Sequence, residues 1–311
     1  MIEDERYILV VAHARRPDTV AAAVRVIAAL REAGAVPVFA AEDLAELSVA
    51  IPPGRVAVLA DEVAVSDIEL AIVLGGDGTI LRAAELVRSG RAPVLGVNMG
   101  HVGFLAEIER DNLDEAVRRV IDRDYTVEER LALQVRVKDH DGAVIYETWA
   151  LNEATVEKGS RERMLEVVIE IDGRPLSSFG CDGVVVSTPT GSTAYNFSGG
   201  GPVIWPGVDA ISVVPLSAHA LFAKPLVIAP EHAVAIELLE RTETGVLWCD
   251  GRRSHDLPPG ARVVVRRSPD PVRLARLHPV AFTDRLVQKF RLPVEGWRGP
   301  VTGIQTGNIT L

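Results

Sequence analysis

Cysteine is nearly missing from this chain: Cys181 and Cys249 are the two in 311 residues, and neither sits in a CxxC pair. A disulfide framework and a zinc knuckle are therefore not expected, and both thiols read as reduced. Positive charge is also in deficit, with 33 Lys and Arg against 43 Asp and Glu, a formal net charge of −10. That balance argues against nucleic acid or an anionic membrane as the main partner, and any anionic ligand needs locally placed Arg, Lys or backbone N–H groups. Long apolar runs are lacking too. Tyr7 to Ala12 and Leu70 to Leu74 fall far short of the roughly 20 residues that span a bilayer. Met1 to Arg6 is acidic and charged where a secretory leader is basic and then apolar, so none is expected. The expectation is a soluble, cytoplasmic protein with neither nucleic acid nor membrane as partner.

Several reaction signatures are missing as well. There is no Gly-Lys-Ser/Thr, hence no P-loop, and Leu81 stands where the last Gly of GxGxxG would fall. Without a GxSxG elbow or HExxH, hydrolase and zinc-enzyme readings have little support.

What is present is ordinary globular composition, 48% apolar and 24% charged, in a chain about twice the usual single-domain length, so two domains are the prior. Strand-like and helix-like segments alternate through residue 125. Tyr7 to Ala12 is short and β-branched like a buried strand; Asp18 is placed to cap a helix carrying Val20, Val24, Ile27 and Leu30, with Gly34 beyond its end. Strands over 36–40, 70–74 and 93–97 and helices over 80–87 and 111–122 continue the pattern, which predicts a Rossmann-like α/β domain with a parallel sheet. After Tyr125 the period shortens toward two, with turn signals Asp141-Gly142, Asp172-Gly173 and Pro259-Gly260, and the chain reads as mainly β. The expected division is an α/β domain over 1–125, a β-rich domain over 126–282, and a closing helix and tail over 283–311 that pack back on the first domain.

One turn carries chemistry. Strand Ala71 to Leu74 runs into Gly75-Gly76-Asp77-Gly78-Thr79, followed by a helical stretch. At the end of a parallel strand, glycines let backbone N–H groups approach phosphate oxygens and the helix adds its positive end. A Gly-Asp-Gly alone is an ordinary turn; the double glycine after a buried strand reverses that balance. Asp77, read as the centre of the turn, suits either accepting a proton from an attacking hydroxyl or holding a magnesium ion.

A second stretch, Asp182 to Pro202, crowds hydroxyls, glycines and aromatics into Ser187-Thr188-Pro189-Thr190-Gly191-Ser192-Thr193-Ala194-Tyr195-Asn196-Phe197-Ser198. Such a loop can hydrogen-bond ribose hydroxyls and lay a ring against a base. Together with the Gly75 to Thr79 turn, Asn152-Glu153, Gly96 to Leu105 and Asp250-Gly251, it resembles the NAD kinase family of the bacterial, ATP- or polyphosphate-dependent type, over the chain from the first strand to about Pro293. The long block is highly specific; the glycine turn alone is not.

The resemblance implies an active site in the cleft between the domains and assembly into a homodimer or homotetramer. It implies Asp77 as the catalytic carboxylate and Gly75, Gly76, Gly78 and Thr79 around phosphate. It places Asp77, Gly78, Asn152, Glu153, Asp182, Thr193, Ala194, Tyr195, Asn196 and Ser198 on NAD, with Arg82 and Arg163 as basic contacts. Mg2+ would be held mainly through the phosphates of the donor, ATP or polyphosphate, with no dedicated protein metal site. Arg252 stands where many relatives have Gln, so the contact made there does not carry over. Two rivals remain: a diacylglycerol or sphingosine type of lipid kinase, which shares the glycine turn but lacks the Thr-Ala-Tyr block, and a non-catalytic NAD sensor, against which an intact Asp77 weighs.

Overall fold

The apolar run at the start of the chain forms strand β1 (Arg6–Ala12), whose last five residues are buried, as in a parallel sheet covered on both faces. A computed structural model describes residues 5–13, 16–100, 103–160, 163–278 and 281–294. His101, read from sequence as structural, and the tail beyond 294 lie outside them. After β1 come α1 (Pro17–Glu32), β2 (Ala35–Phe39), α2 (Ala41–Leu47), β3 (Ala57–Val58), β4 (Ile68–Gly75), α3 (Asp77–Leu86), β5 (Val94–Asn98), β6 (Ile108–Glu109), α4 (Leu113–Ile121) and β7 (Thr126–Arg130).

Helix α1 does not begin as its sequence suggests. Arg16 is the N-cap and Pro17 the first helical residue, because proline's fixed φ and missing N–H suit that position. Asp18 is not the cap; it sits within the first turn, where a carboxylate complements the helix dipole.

Twelve further strands make the second domain: β8 (Leu133–Lys138), β9 (Val144–Ala150), β10 (Glu153–Lys158), β11 (Leu165–Ile171), β12 (Arg174–Cys181), β13 (Gly183–Ser187), the short helix α5 (Tyr195–Ser198), β14 (Ile211–Leu216), β15 (Leu226–Ile228), β16 (Val234–Leu238), β17 (Gly245–Cys249), β18 (Arg253–Leu257) and β19 (Arg262–Arg267). They pair antiparallel in two sheets of six, ordered β15-β14-β13-β10-β17-β18 and β12-β11-β16-β19-β8-β9. Val135, Val167, Ile236 and Val263 from one sheet and Val156, Val184, Val213 and Leu247 from the other share one core, a β-sandwich.

The chain then returns. Strand β20 (Val272–Arg276) joins the first sheet, ordered β3-β2-β1-β4-β5-β20-β7 with β6 beside β5. Pairing is parallel from β3 through β20, and β7 lies antiparallel at the edge. The β-rich domain expected over 126–282 therefore gives up both ends, since 126–130 and 272–276 pair with each other and Leu274 sits opposite Val94. Alternation identifies a strand without saying which sheet it joins, and here the chain crosses between domains twice. Helix α6 (Phe282–Phe290) follows; its Arg285 donates to the carbonyls of Phe104 (2.8 Å) and Ala106 (2.5 Å) in the first domain.

Candidate active site

In the first sheet the winding reverses between β1 and β4, and such a switch point leaves a crevice at the carboxyl ends of the strands. Gly75 ends β4 there and Gly76 caps α3. Helix α3 starts at Asp77, three residues earlier than its apolar pattern suggests, so Asp77 is the first helical residue and not the centre of a turn. The carbonyl of Gly76 accepts the N–H groups of Thr79 (2.9 Å) and Ile80 (3.1 Å). Nothing lies within 4 Å of where a Cβ would stand at Gly76 or Gly78, so this first turn is open to an approaching ligand.

Asp77 is aimed by a loop 26 residues or more away in sequence. Its Oδ2 accepts the Phe104 N–H at 3.0 Å and its Oδ1 accepts the Leu105 N–H at 3.1 Å. Gly103 permits this approach, since a Cβ there would lie 2.2 Å from Oδ1.

The hydroxyl-rich loop follows β13 and is pinned from below. The Thr188 N–H donates to the Asn152 carbonyl at 2.9 Å and its Oγ1 to the Leu151 carbonyl at 2.6 Å. Gly191 packs onto the same backbone, where a Cβ would come within 2.0 Å of the Asn152 oxygen. Ser192 Oγ donates to Pro189 (2.6 Å) and accepts the Ile204 N–H (2.9 Å). Tyr195 and Ser198 are exposed and Thr193 and Ala194 half-buried, as contacts to a ligand require. Asp182 forms an ion pair with Lys158 at 2.5 Å.

Beneath the loop lies a pair of buried carboxylates. Asp250, in the left-handed region at φ 54°, accepts the N–H groups of Leu151 (3.0 Å) and Asn152 (2.7 Å) and the Arg253 guanidinium (2.8 Å). Among the described residues, Glu153 receives the Tyr195 N–H alone, at 3.4 Å. Burial, reinforced by the Asp250 charge, pushes the Glu153 pKa up to about 8. With three good donors on Asp250 and one long one on Glu153, the proton belongs to Glu153.

Three residues expected on NAD are engaged by protein partners in this structure. Asn196 is fully buried, and its Nδ2 donates to the carbonyls of Ser192 (3.2 Å) and Pro202 (3.0 Å), so it holds the loop. Arg82 turns to the buried Asp43 (2.7 Å) and to Glu42 (3.7 Å), because the outward face of α3 meets α2 there. Arg163 is exposed and pairs with Glu243 at 3.2 Å. The departing Arg252 meets Glu85 of α3 at 3.4 Å.

The two domains meet beside these residues. The ring of Phe104, whose N–H holds Asp77, faces a cavity that Pro189, Thr190 and Thr193 also line. On the other flank, Arg253 pairs with Asp250 (2.8 Å) and reaches Glu85 of α3 (3.8 Å). The guanidiniums of Arg88 (4.4 Å) and Arg253 (4.5 Å) both lie over the Trp149 ring. Sequence reasoning missed Phe104, Arg88, Trp149 and Arg253 as site-forming residues. Phe104 belongs to the Gly96 to Leu105 stretch already singled out; the other three carried no local signal.

A glycine-flanked carboxylate opening a helix at the switch point of a parallel sheet, faced by a hydroxyl-rich loop from a β-sandwich, defines a two-domain protein built for phosphate and nucleotide. Residues 8–125 match the ATP-NAD kinase N-terminal domain and residues 151–277 the ATP-NAD kinase C-terminal domain. The chain belongs to the NAD kinase family. It is 66% identical over 298 residues to an NAD kinase of Leifsonia xyli, covering 95% of this chain and 98% of that one. The same fold is found in yeast NADH kinase complexed with NADH (TM-score 0.84, 23% identity, 95% and 90% of the two chains). It recurs in an NAD kinase of Archaeoglobus fulgidus in complex with ATP (TM-score 0.68, 22% identity, 92% and 98%).

Proposed function

We infer that this enzyme transfers a phosphoryl group from ATP to the 2'-hydroxyl of the adenosine ribose of NAD, giving NADP. The observation that carries the reading is Asp77 at the open first turn of α3, aimed by the amides of Phe104 and Leu105, with Phe104 lining one cavity together with Thr193 of the hydroxyl-rich loop. The Gly75 to Thr79 segment binds donor phosphates, while Asn152, Asp182, Thr193, Ala194, Tyr195 and Ser198 present the acceptor. The 2'-oxygen attacks the terminal phosphorus, a new O–P bond forms, the bond to the bridging oxygen breaks, and ADP leaves. Asp77 takes the hydroxyl's proton or orients the cation on the donor. Because phosphoryl transfer needs little covalent help from protein, positioning and charge neutralisation supply most of the acceleration.

Among the described residues no group of three or more Asp, Glu, His or Cys side chains forms a cage for a metal. A divalent cation fits the site as a companion of the donor's phosphates; Asp77, at the first turn of α3, is the carboxylate that would face it, and the cation would neutralise phosphate charge. A homodimer or homotetramer is supported by Leu221, Phe222 and Val227, which are exposed on the sandwich domain and would be covered by a second copy; light scattering on the eluting protein reads the mass. No helix among the described residues is long and apolar enough to cross a membrane.

Purified protein incubated with NAD, Mg2+ and either ATP or polyphosphate, then assayed with a strictly NADP-dependent dehydrogenase, should form NADP with ATP. No NADP above a heat-killed control with either donor would overturn the reading and favour a sensor or a lipid kinase.

A further inference from the structure

At nine residues, Phe282 to Phe290 is too short to hold a helix by itself in water, so α6 depends on what it packs against. Rings seat it. Phe282 and Phe290 both pack on Phe104, with centroids at 6.0 and 5.7 Å, and Phe290 also stacks on Phe197 of α5 at 4.5 Å. The helix thus rests at once on the loop that aims Asp77 and on the hydroxyl-rich segment of the sandwich.

Between those rings Arg285 points into the protein, its side chain 12% exposed. Its Nη1 donates to the carbonyls of Phe104 (2.8 Å) and Ala106 (2.5 Å), and its Nη2 pairs with Glu107 at 3.3 Å. A peptide unit is planar and trans, so the carbonyl of one residue and the N–H of the next point in opposite directions. The Phe104 carbonyl and the Leu105 N–H are one such unit, and that N–H donates to Asp77 Oδ1 at 3.1 Å. Fixing the oxygen fixes the direction of the donor. A cation on the carbonyl also polarises the unit and strengthens the hydrogen bond on its far side. The Ala106 carbonyl belongs to the next-but-one unit, whose N–H, that of Glu107, donates to Gly96 of β5 at 2.7 Å. Arg285 therefore sets the clamp on Asp77 against the sheet. Burial and then the Arg276 charge lower its pKa, while Glu107 and Asp77 oppose them, so Asp77 lies within electrostatic reach.

We propose that Arg285 is a positioning residue for phosphoryl transfer, acting on Asp77 through the Phe104–Leu105 peptide, with α6 the brace that seats it. This rests on the reading of Asp77 above. Glu107 does not need Arg285 to stay satisfied, because it keeps Arg276 (2.8 Å) and the N–H groups of Leu277 (3.0 Å) and His278 (3.1 Å). Loss of the guanidinium thus leaves no buried carboxylate unpaired.

A double-mutant cycle on the full-length protein tests the inference, with NADP formation from NAD, Mg2+ and ATP as the rate and a melting curve for each variant. Arg285→Met should lower kcat about tenfold or more with the KM values for NAD and ATP within about threefold. In an Asp77→Asn background the same change should cost no more than about twofold, since the group it aims is already gone. A merely structural residue would lose as much in both backgrounds. Should Arg285→Met fail to fold, Arg285→Lys, which keeps the charge beside Glu107 but not the fork, runs the same cycle. Parental kcat in the folded single variant, an equal loss in both backgrounds, or a raised KM at unchanged kcat each overturns the inference. If Asp77→Asn is crippled while Arg285→Met turns over normally, the inference fails alone. If Asp77→Asn itself turns over normally, the reading of Asp77 fails and takes the inference with it.

Discussion

Asp77 and Glu153 are two carboxylates held by opposite means. Asp77 is half exposed and positioned by two amide donors, as a group that must meet substrate requires. Asp77→Asn keeps its size and removes the charge; kcat should fall by about 10²-fold or more while the KM for NAD stays within about threefold. Near-normal turnover in steady-state assays would show that Asp77 takes no part in the chemistry. Glu153 is buried beside a second acid, and its pKa of about 8 lies above the ordinary 4.5. A raised folded-state value means that the protonated form belongs to the native protein, so this stability is complete below about pH 4.5 and is lost as pH rises through 8. The thermal midpoint should therefore decline between pH 6 and pH 9, and Glu153→Gln should flatten that decline. An equal slope in the two proteins would place the proton elsewhere.

Helix α3 and the loop after β5 work as a unit because one residue between them has no side chain. Gly103 lets the Phe104 and Leu105 amides close on Asp77, and a methyl there would collide with Oδ1 at 2.2 Å. Gly103→Ala removes no chemical group, yet it should lower kcat tenfold or more by pushing the carboxylate off its donors. The overpacking should destabilise the fold by only about 1–3 kcal/mol. Unchanged kcat, measured with a melting curve to confirm folding, would mean that this clamp is not what aims Asp77. The second element, the loop from Thr188 to Asn196, is held in the same way: Thr188 Oγ1 donates to Leu151, Ser192 Oγ to Pro189 and Asn196 Nδ2 to Ser192, while Tyr195 and Ser198 stay exposed.

Across the whole molecule, the groove depends on how the two domains are tied. The chain crosses between them twice, through β7 and β20, and the Trp149 ring of the sandwich carries the guanidiniums of Arg88, just past α3, and Arg253 over it. Each cation on that ring contributes about 0.5–2 kcal/mol. Trp149→Leu should then lower unfolding stability by about 1–3 kcal/mol and reduce kcat/KM for NAD, since Asp77 travels with α3 while Asn152 and Asp250 stay with the sandwich. Calorimetry and kinetics showing neither change would remove Trp149 from the tie.

The sequence by itself determined the alternation of the first domain, the β-rich character of the second and the identity of the two motif stretches, because all three are written in neighbouring residues. Periodicity is set by 3.6 or 2 residues per repeat, and the glycine turn and hydroxyl-rich loop are continuous segments. Tertiary structure alone decided the rest. It gave strands 126–130 and 272–276 to the first sheet, started α3 at Asp77, buried Asn196, turned Arg82 toward Asp43 and brought Phe104 over Asp77. Each of these depends on a contact between residues distant in sequence, where burial and hydrogen-bond satisfaction outweigh local preference, and no local pattern encodes which distant partner will supply them.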